Sequence, residues 1–284
     1  MNKLILAVLL LFWPAILVAD SSGFIYSNGS FALINQTGAV NTEVVAVNGL
    51  GQIVGTGQTN FLDTNGTFTN FAPGFMPVGI NNSGQIVFDA PNVGFLDVGG
   101  TLTPLAFPGA VYSEPTGTSN NGMVSGVYEL PGSSHLQSWV WNGSFTPFNG
   151  PSGAIDTRIW GINDSGQIVG MSFDGSTNTN FLFSNCQFQN IGVEALAIND
   201  EGQMTGDVGG LGFIGDGKTF TTFSVPGALS TVGEGINDEG KIVGVATFPL
   251  PPTNVPEPST LLLLACGIGL LACTFYRNFR IRES

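Results

Sequence analysis

The chain has 284 residues, 41 of them glycine, with seven Lys and Arg against 20 Asp and Glu. A formal net charge of −13 leaves no basic surface to displace counterions from a phosphate backbone, which excludes nucleic acid as a partner. With three cysteines and one histidine there is neither a disulfide framework nor a zinc ligand set, so stability must come from burial of a core.

The first 19 residues read as a secretory signal: Lys3, an apolar run from Leu4 to Trp13, Pro14, and a small residue, Ala19, before Asp20. A buried N-terminal helix is the alternative. From Asp20 to Asn254 there are 18 acidic residues and only three basic ones, Arg158, Lys218 and Lys241. Cys186 is the one cysteine in this stretch, so no intramolecular disulfide forms there.

Self-comparison of the stretch exposes a repeat. A box built on Asn, two polar residues and Gly, followed by an apolar strand, recurs six times. Its turn residues are Asn48 with Gly51, Asn81 with Gly84, Asn120 with Gly122, Asn163 with Gly166, Asn199 with Gly202, and Asn237 with Gly240. Consecutive box glycines are 33, 38, 44, 36 and 38 residues apart. The box predicts a type I turn whose glycine takes positive φ and whose Asn bonds back to the turn amides. The second residue after the box glycine (Ile53, Ile86, Val124, Ile168, Met204, Ile242) should face a core.

A second motif alternates with the box: Asn28-Gly29, Asn65-Gly66, Gly99-Gly100, Asn142-Gly143, Asn185-Cys186 and Asp216-Gly217, each between apolar runs. Such pairs predict two-residue type I′ hairpins, and Asn185-Cys186 predicts strain or a different turn. Each repeat thus supplies four short strands. The expected fold is all-β: a six-repeat β-propeller-like domain over residues 20–248, with a β-solenoid as the alternative. Because the chain starts on the second hairpin and ends on a box, the last blade should borrow its outer strands from the N-terminus.

Beyond a Pro-rich linker at 249–259, residues 260–276 are apolar and predict a transmembrane helix. Arg277, Arg280 and Arg282 in the tail at 277–284 would hold its end on the cytoplasmic side. Val255-Pro256-Glu257-Pro258-Ser259, the apolar run and the arginine tail together resemble the PEP-CTERM sorting signal. That resemblance implies a Gram-negative bacterium whose exosortase cuts the tail, an inner-membrane-tethered intermediate, and release to the cell surface or extracellular matrix. The Gly-Ile-Asn-Asp-Ser-Gly-Gln-Ile-Val-Gly box around Asn163 resembles the HAF-type extracellular repeats, which imply no particular chemistry.

Candidate chemistry is sparse. His135 has no Gly-x-Ser-x-Gly nucleophile elbow to work with. The letters Gly210-Leu211-Gly212-Phe213-Ile214-Gly215 match a dinucleotide fingerprint but lead into a hairpin strand, so no helix N-terminus would meet a pyrophosphate. Asp164, Asp200 and Asp238 occupy one position of three boxes and are the candidates for Ca²⁺, although no Asp-x-Asp-x-Asp-Gly spacing exists and turn chemistry accounts for them. Asn28, Asn65 and Asn142 begin Asn-Gly-Ser/Thr sequons and are also turn residues. Trp139 aligns with Phe24, Phe61, Phe95, Phe181 and Phe213 and reads as core. Trp141 and Trp160 are candidates for stacking on a sugar ring, with Tyr128 beside them. The expected role is that of a noncatalytic surface or matrix protein that interacts with other surface proteins. An exopolysaccharide-binding propeller is the second reading, and a carboxylate-based hydrolase the third.

Overall fold

A computed structural model describes residues 20–249, and all its regular elements are strands. The sequence readings for residues 1–19 and 250–284 (signal peptide, sorting motif, transmembrane helix and arginine tail) lie outside the described residues.

The strands in chain order are β1 (Asp20–Ser27) and β2 (Ser30–Ile34), then β3 (Glu43–Val47), β4 (Ile53–Thr56), β5 (Phe61–Thr64) and β6 (Thr67–Asn70). Next come β7 (Met76–Ile80), β8 (Ile86–Asp89), β9 (Gly94–Val98) and β10 (Thr101–Leu105), then β11 (Tyr112–Thr118), β12 (Val124–Glu129), β13 (Gln137–Trp141) and β14 (Phe145–Phe148). The chain continues with β15 (Asp156–Ile162), β16 (Ile168–Phe173), β17 (Asn178–Ser184) and β18 (Gln187–Asn190). It then adds β19 (Glu194–Ile198), β20 (Met204–Val208), β21 (Leu211–Gly215) and β22 (Phe220–Phe223), and ends with β23 (Ser230–Ile236) and β24 (Ile242–Phe248).

They form six four-stranded antiparallel sheets around one axis, a six-bladed β-propeller. Five sheets are consecutive in sequence, and the sixth runs β2-β1-β24-β23. The N-terminal hairpin therefore completes the last blade, with Phe24 opposite Gly244 and Asp20 opposite Phe248. This closure leaves no open edge between the first and last repeats.

Each box behaves as its residue types dictate. In the first, the Gly51 amide bonds the Asn48 carbonyl, the Asn48 amide bonds the Gln52 carbonyl, and Gly51 sits at φ 75°. The six residues expected to face the core are all buried, none more than 5% exposed. The second motif forms true type I′ pairs at Asn28-Gly29, Asn65-Gly66 and Gly99-Gly100, where both residues have positive φ. Asn185-Cys186 has the same geometry, with Cys186 at φ 58°, so strain is accepted there rather than a new turn adopted. Asn142 and Asp216 depart from the expectation: only the glycine after each has positive φ. At Asp216 the carboxylate accepts the Lys218 and Thr219 amides and shapes a longer loop.

The core is divided among the wedges between neighbouring sheets. Val169 and Leu182 of one sheet pack with Ala195, Met204 and Phe213 of the next. Phe24, Phe61, Trp139, Phe181 and Phe213 are each at most 1% exposed, and each lies across from a glycine on the second strand of its sheet. A Cβ on Gly126 would stand 2.2 Å from the Trp139 ring, so the missing side chain makes the space that the aromatic fills. Phe95 corrects the aligned set. Phe88 occupies the glycine position opposite it and takes the core place itself, leaving Phe95 only half-buried.

Candidate functional site

Every innermost strand carries a β-bulge at one place. The ladder skips Val45, Val78, Thr116, Trp160, Leu196 and Glu234, and these six residues line the axial channel. Each stands three residues before the residue whose carbonyl its turn glycine bonds: Asn48, Asn81, Ser119, Asn163, Asn199 or Asn237. A bulge re-aims one side chain out of the sheet plane, here toward the axis. The next residue is always small: Ala46, Gly79, Gly117, Gly161, Ala197 or Gly235. The reason is close approach, since a Cβ on Gly235 would lie 2.9 Å from the Ala46 Cα of the neighbouring strand.

The channel is consequently a funnel. At the box end it narrows to a space of about 50 Å³ enclosed by the turns. Here the box asparagines form a ring of amides. Asn48 Nδ2 donates to the Asn81 carbonyl, Asn81 to Ser119, Asn163 to Asn199, Asn199 to Asn237, and Asn237 back to Asn48 at 3.1 Å. The same Nδ2 of Asn48 also reaches Gln52 Oε1, and its Oδ1 accepts the Leu50 and Gln52 amides. Such an amide uses its full hydrogen-bonding capacity inside the protein, which makes burial of so polar a group tolerable.

The third box corrects one expectation. Ser119, not Asn120, holds the ring position, because Gly122 bonds the Ser119 carbonyl. Asn120 lies one residue further on, and its Nδ2 reaches Asp200 and Asp238, both at 3.0 Å. At the junction the ring lacks, Asn121 takes over: its amide and side chain bond Asp164. The calcium candidates are thus engaged between blades. Asp164, Asp200 and Asp238 accept the amides of Asn121, Asp164 and Asp200 in turn. Among the described residues no group of three or more His, Cys, Asp and Glu side chains is arranged to hold a metal ion.

The other end is open. A cavity of about 310 Å³ is lined by Glu43, Glu114, Glu234, Trp160, Thr116 and Thr56 together with aliphatic side chains. Burial, reinforced by the charges of Glu43 and Glu194, raises the Glu234 carboxyl from 4.5 to about 7. Beside the cavity, burial and the charge of Glu114 raise Asp89 to about 6. The Tyr112 hydroxyl donates to Glu114, and burial together with that bond pushes its own proton loss upward. Trp160 Nε1 is buried without a hydrogen-bond partner, as is Arg158 Nε on the same strand. A buried indole N–H normally finds a partner, so Trp160 carries an unsatisfied donor within the channel wall while its ring lines the cavity.

Of the residues singled out in the sequence, Trp160 is the one at this mouth. Trp141 packs half-buried beside Trp139 within a wedge, and Tyr128 is 8% exposed and stacked on Phe107 with ring centroids 3.9 Å apart. His135 is exposed, its Nδ1 3.3 Å from Asp156 Oδ2. The dinucleotide-like letters fall on β21, a strand, and Cys186 is exposed on a hairpin turn. Glu43, Glu114 and Glu234 were not anticipated. For Glu234 the signal lies upstream of its box, where a variable residue precedes an always-small one; Glu43 and Glu114 stand two residues before that position in their own strands.

No known family profile matches the chain, and no curated protein is similar to it in sequence. Solved structures do share the fold. A protein described as a TolB of Agrobacterium tumefaciens superposes with a TM-score of 0.57 at 15% identity, over 82% of this chain and 100% of that one. TolB of Acinetobacter baumannii gives 0.50 at 10% identity over 80% of this chain, and the match spans 63% of the TolB chain. At these identities the likeness establishes the propeller fold alone.

Proposed function

We propose that the protein is an exported, exosortase-sorted propeller of the cell surface or extracellular matrix, noncatalytic, whose open channel mouth holds a sugar unit of an exopolysaccharide. The observation that carries the binding role is the mouth itself: about 310 Å³ with an indole on its wall, at the small end of the range of ligand pockets. The apolar face of a sugar ring stacks on an indole, while its hydroxyls donate to carboxylates such as Glu43 and Glu114. The export role is carried by the Pro256-Glu257-Pro258 motif, the apolar run and the three arginines in their order.

Two experiments test it. Full-length protein in mild detergent should bind a subset of bacterial glycans on an array, and Trp160→Ala should abolish that binding while leaving the fold intact by circular dichroism. Binding that survives the substitution would place the site elsewhere. For sorting, intact mass of protein recovered from culture should end near Pro256 to Ser259; a complete C-terminus in the membrane fraction refutes processing.

A carboxylate hydrolase is favoured by one feature. Glu234 keeps its proton up to about pH 7 in a cavity also lined by Glu43 and Glu114, and an acid set apart in this way from other carboxylates is what general acid catalysis needs. Release of reducing ends from a bound glycan, absent in Glu234→Gln, would establish that reading over the noncatalytic one.

A further inference from the structure

We infer that the sugar taken by the open mouth carries a free amine, its ring against Trp160 and its ammonium among the carboxylates of Glu43, Glu114 and Glu234. This rests on reading the mouth as a sugar site and names the class of sugar.

The wall chemistry selects the charge. Three carboxylates line the cavity, and no Lys, Arg or His is among the residues lining it. A uronic acid would add a fourth negative charge to a partly desolvated space. A neutral sugar would leave the carboxylates facing one another without a countercharge. None of these carboxylates is in an ion pair: among the described residues the single one is His135 with Asp156, outside the cavity lining.

The charged groups that line the cavity with Glu234 are all acids. β3 contributes Glu43, β11 contributes Glu114, and Glu194 of β19 adds its charge to that of Glu43. β15 contributes Trp160 to the lining and Arg158 two residues before it, whose charge acts on Tyr112. β7 and β24 contribute only apolar lining, Met76 and Val245 among it. An ammonium ion arriving here meets an indole face, to which it is drawn by the ring quadrupole, in a cavity whose only charged lining is carboxylate.

A proton moves with the ligand. Below about pH 7 Glu234 is mostly protonated, because burial and, after it, the negative charges of Glu43 and Glu194 disfavour its ionised form. An ammonium beside it reverses the local field, so the carboxyl ionises and its proton passes to the buffer. Binding of the amine is therefore accompanied by proton release, whereas binding of an acetylated, uncharged analogue is not.

Calorimetry on the full-length protein at about pH 6.5, in buffers of different ionisation enthalpy, tests this with three probes: a β-1,4-glucosamine trimer, its N-acetylated counterpart and a galacturonate trimer. The amine trimer is expected to bind at least about tenfold tighter than the acetylated one, and the uronate not to bind. Relative to Glu234→Gln it should release roughly one proton more, a difference from which any proton taken up by the sugar amine itself cancels. Glu43→Gln should weaken the amine trimer and leave the acetylated one unchanged, a contrast that holds even if Trp160→Ala is poorly folded. If the acetylated trimer binds equally well, with no proton release, and Trp160→Ala abolishes it, the amine inference falls while the mouth remains a sugar site. If none of the three binds, both fall.

Discussion

Replacing Glu234 by Gln should make the protein more stable above neutral pH and change nothing in acid. The native state holds this proton up to about pH 7, whereas an unperturbed glutamate in the unfolded chain loses it near 4.5. Between those values the folded protein binds more protons than the unfolded one, so stability is fully present below about 4.5 and falls as pH rises to about 7. The displacement corresponds to roughly 3 kcal/mol, an upper figure because the side chain is not wholly shut off from water. Glutamine keeps the shape and cannot ionise, so the variant escapes this loss. For a domain of this size the difference amounts to a melting temperature higher by on the order of 10 °C at pH 8, shrinking to none at pH 4. Differential scanning calorimetry of both proteins across that range measures it. A Tm difference that is equal at both ends of the range, or absent at pH 8, would refute the placement of Glu234 in a buried acidic wall. Asp89 also titrates in this window, but it is common to both proteins and cancels.

The asparagine ring makes a second prediction. Asn81→Ala and the near-isosteric Asn81→Asp should each cost about 2–4 kcal/mol in chemical denaturation, because both remove the donors that reach Ser119 and Gln85. An Asp variant as stable as the parent would show that shape, not amide donation, is what the position requires. Gly206→Ala should be more damaging than a typical surface change, by about 3 kcal/mol or more, since its Cβ would fall 1.8 Å from the Glu194 carbonyl oxygen. Deleting residues 20–34 should abolish the folded monomer on size-exclusion chromatography, because the last sheet would keep only β23 and β24 and the Phe24 site would be empty. A monomer with unchanged melting would mean that the ring does not depend on its borrowed hairpin.

Trp160 and Trp141 illustrate why the site was only partly legible. Both are aromatic residues with apolar neighbours in sequence, yet one lines the channel and the other fills a wedge. The difference comes from the bulge at Trp160, which turns its side chain off the sheet plane; no residue at the bulge is constant, so the boxes gave no hint of it. Glu234 likewise looks like one more acid in an acidic chain. Its perturbation arises first from burial and then from Glu43 and Glu194, which are far from it in sequence and meet it only where strands converge on the axis. Asn120 shows the reverse case: aligned by letter with its neighbours, it is one position out of register, and only the Ser119–Gly122 bond reveals it.

What the amino-acid order determined by itself was local and repetitive. Glycines at positive φ, asparagines that satisfy turn amides and apolar residues in alternation are short-range demands, and six repetitions of them specify hairpins, four strands per unit and the phase at which the ring closes. What only the tertiary structure decided was which side chains converge on the axis. Ring closure brings residues from six separate repeats to one point, so the narrow and wide ends of the funnel and the retained proton of Glu234 are properties of packing between blades and are written in no single repeat.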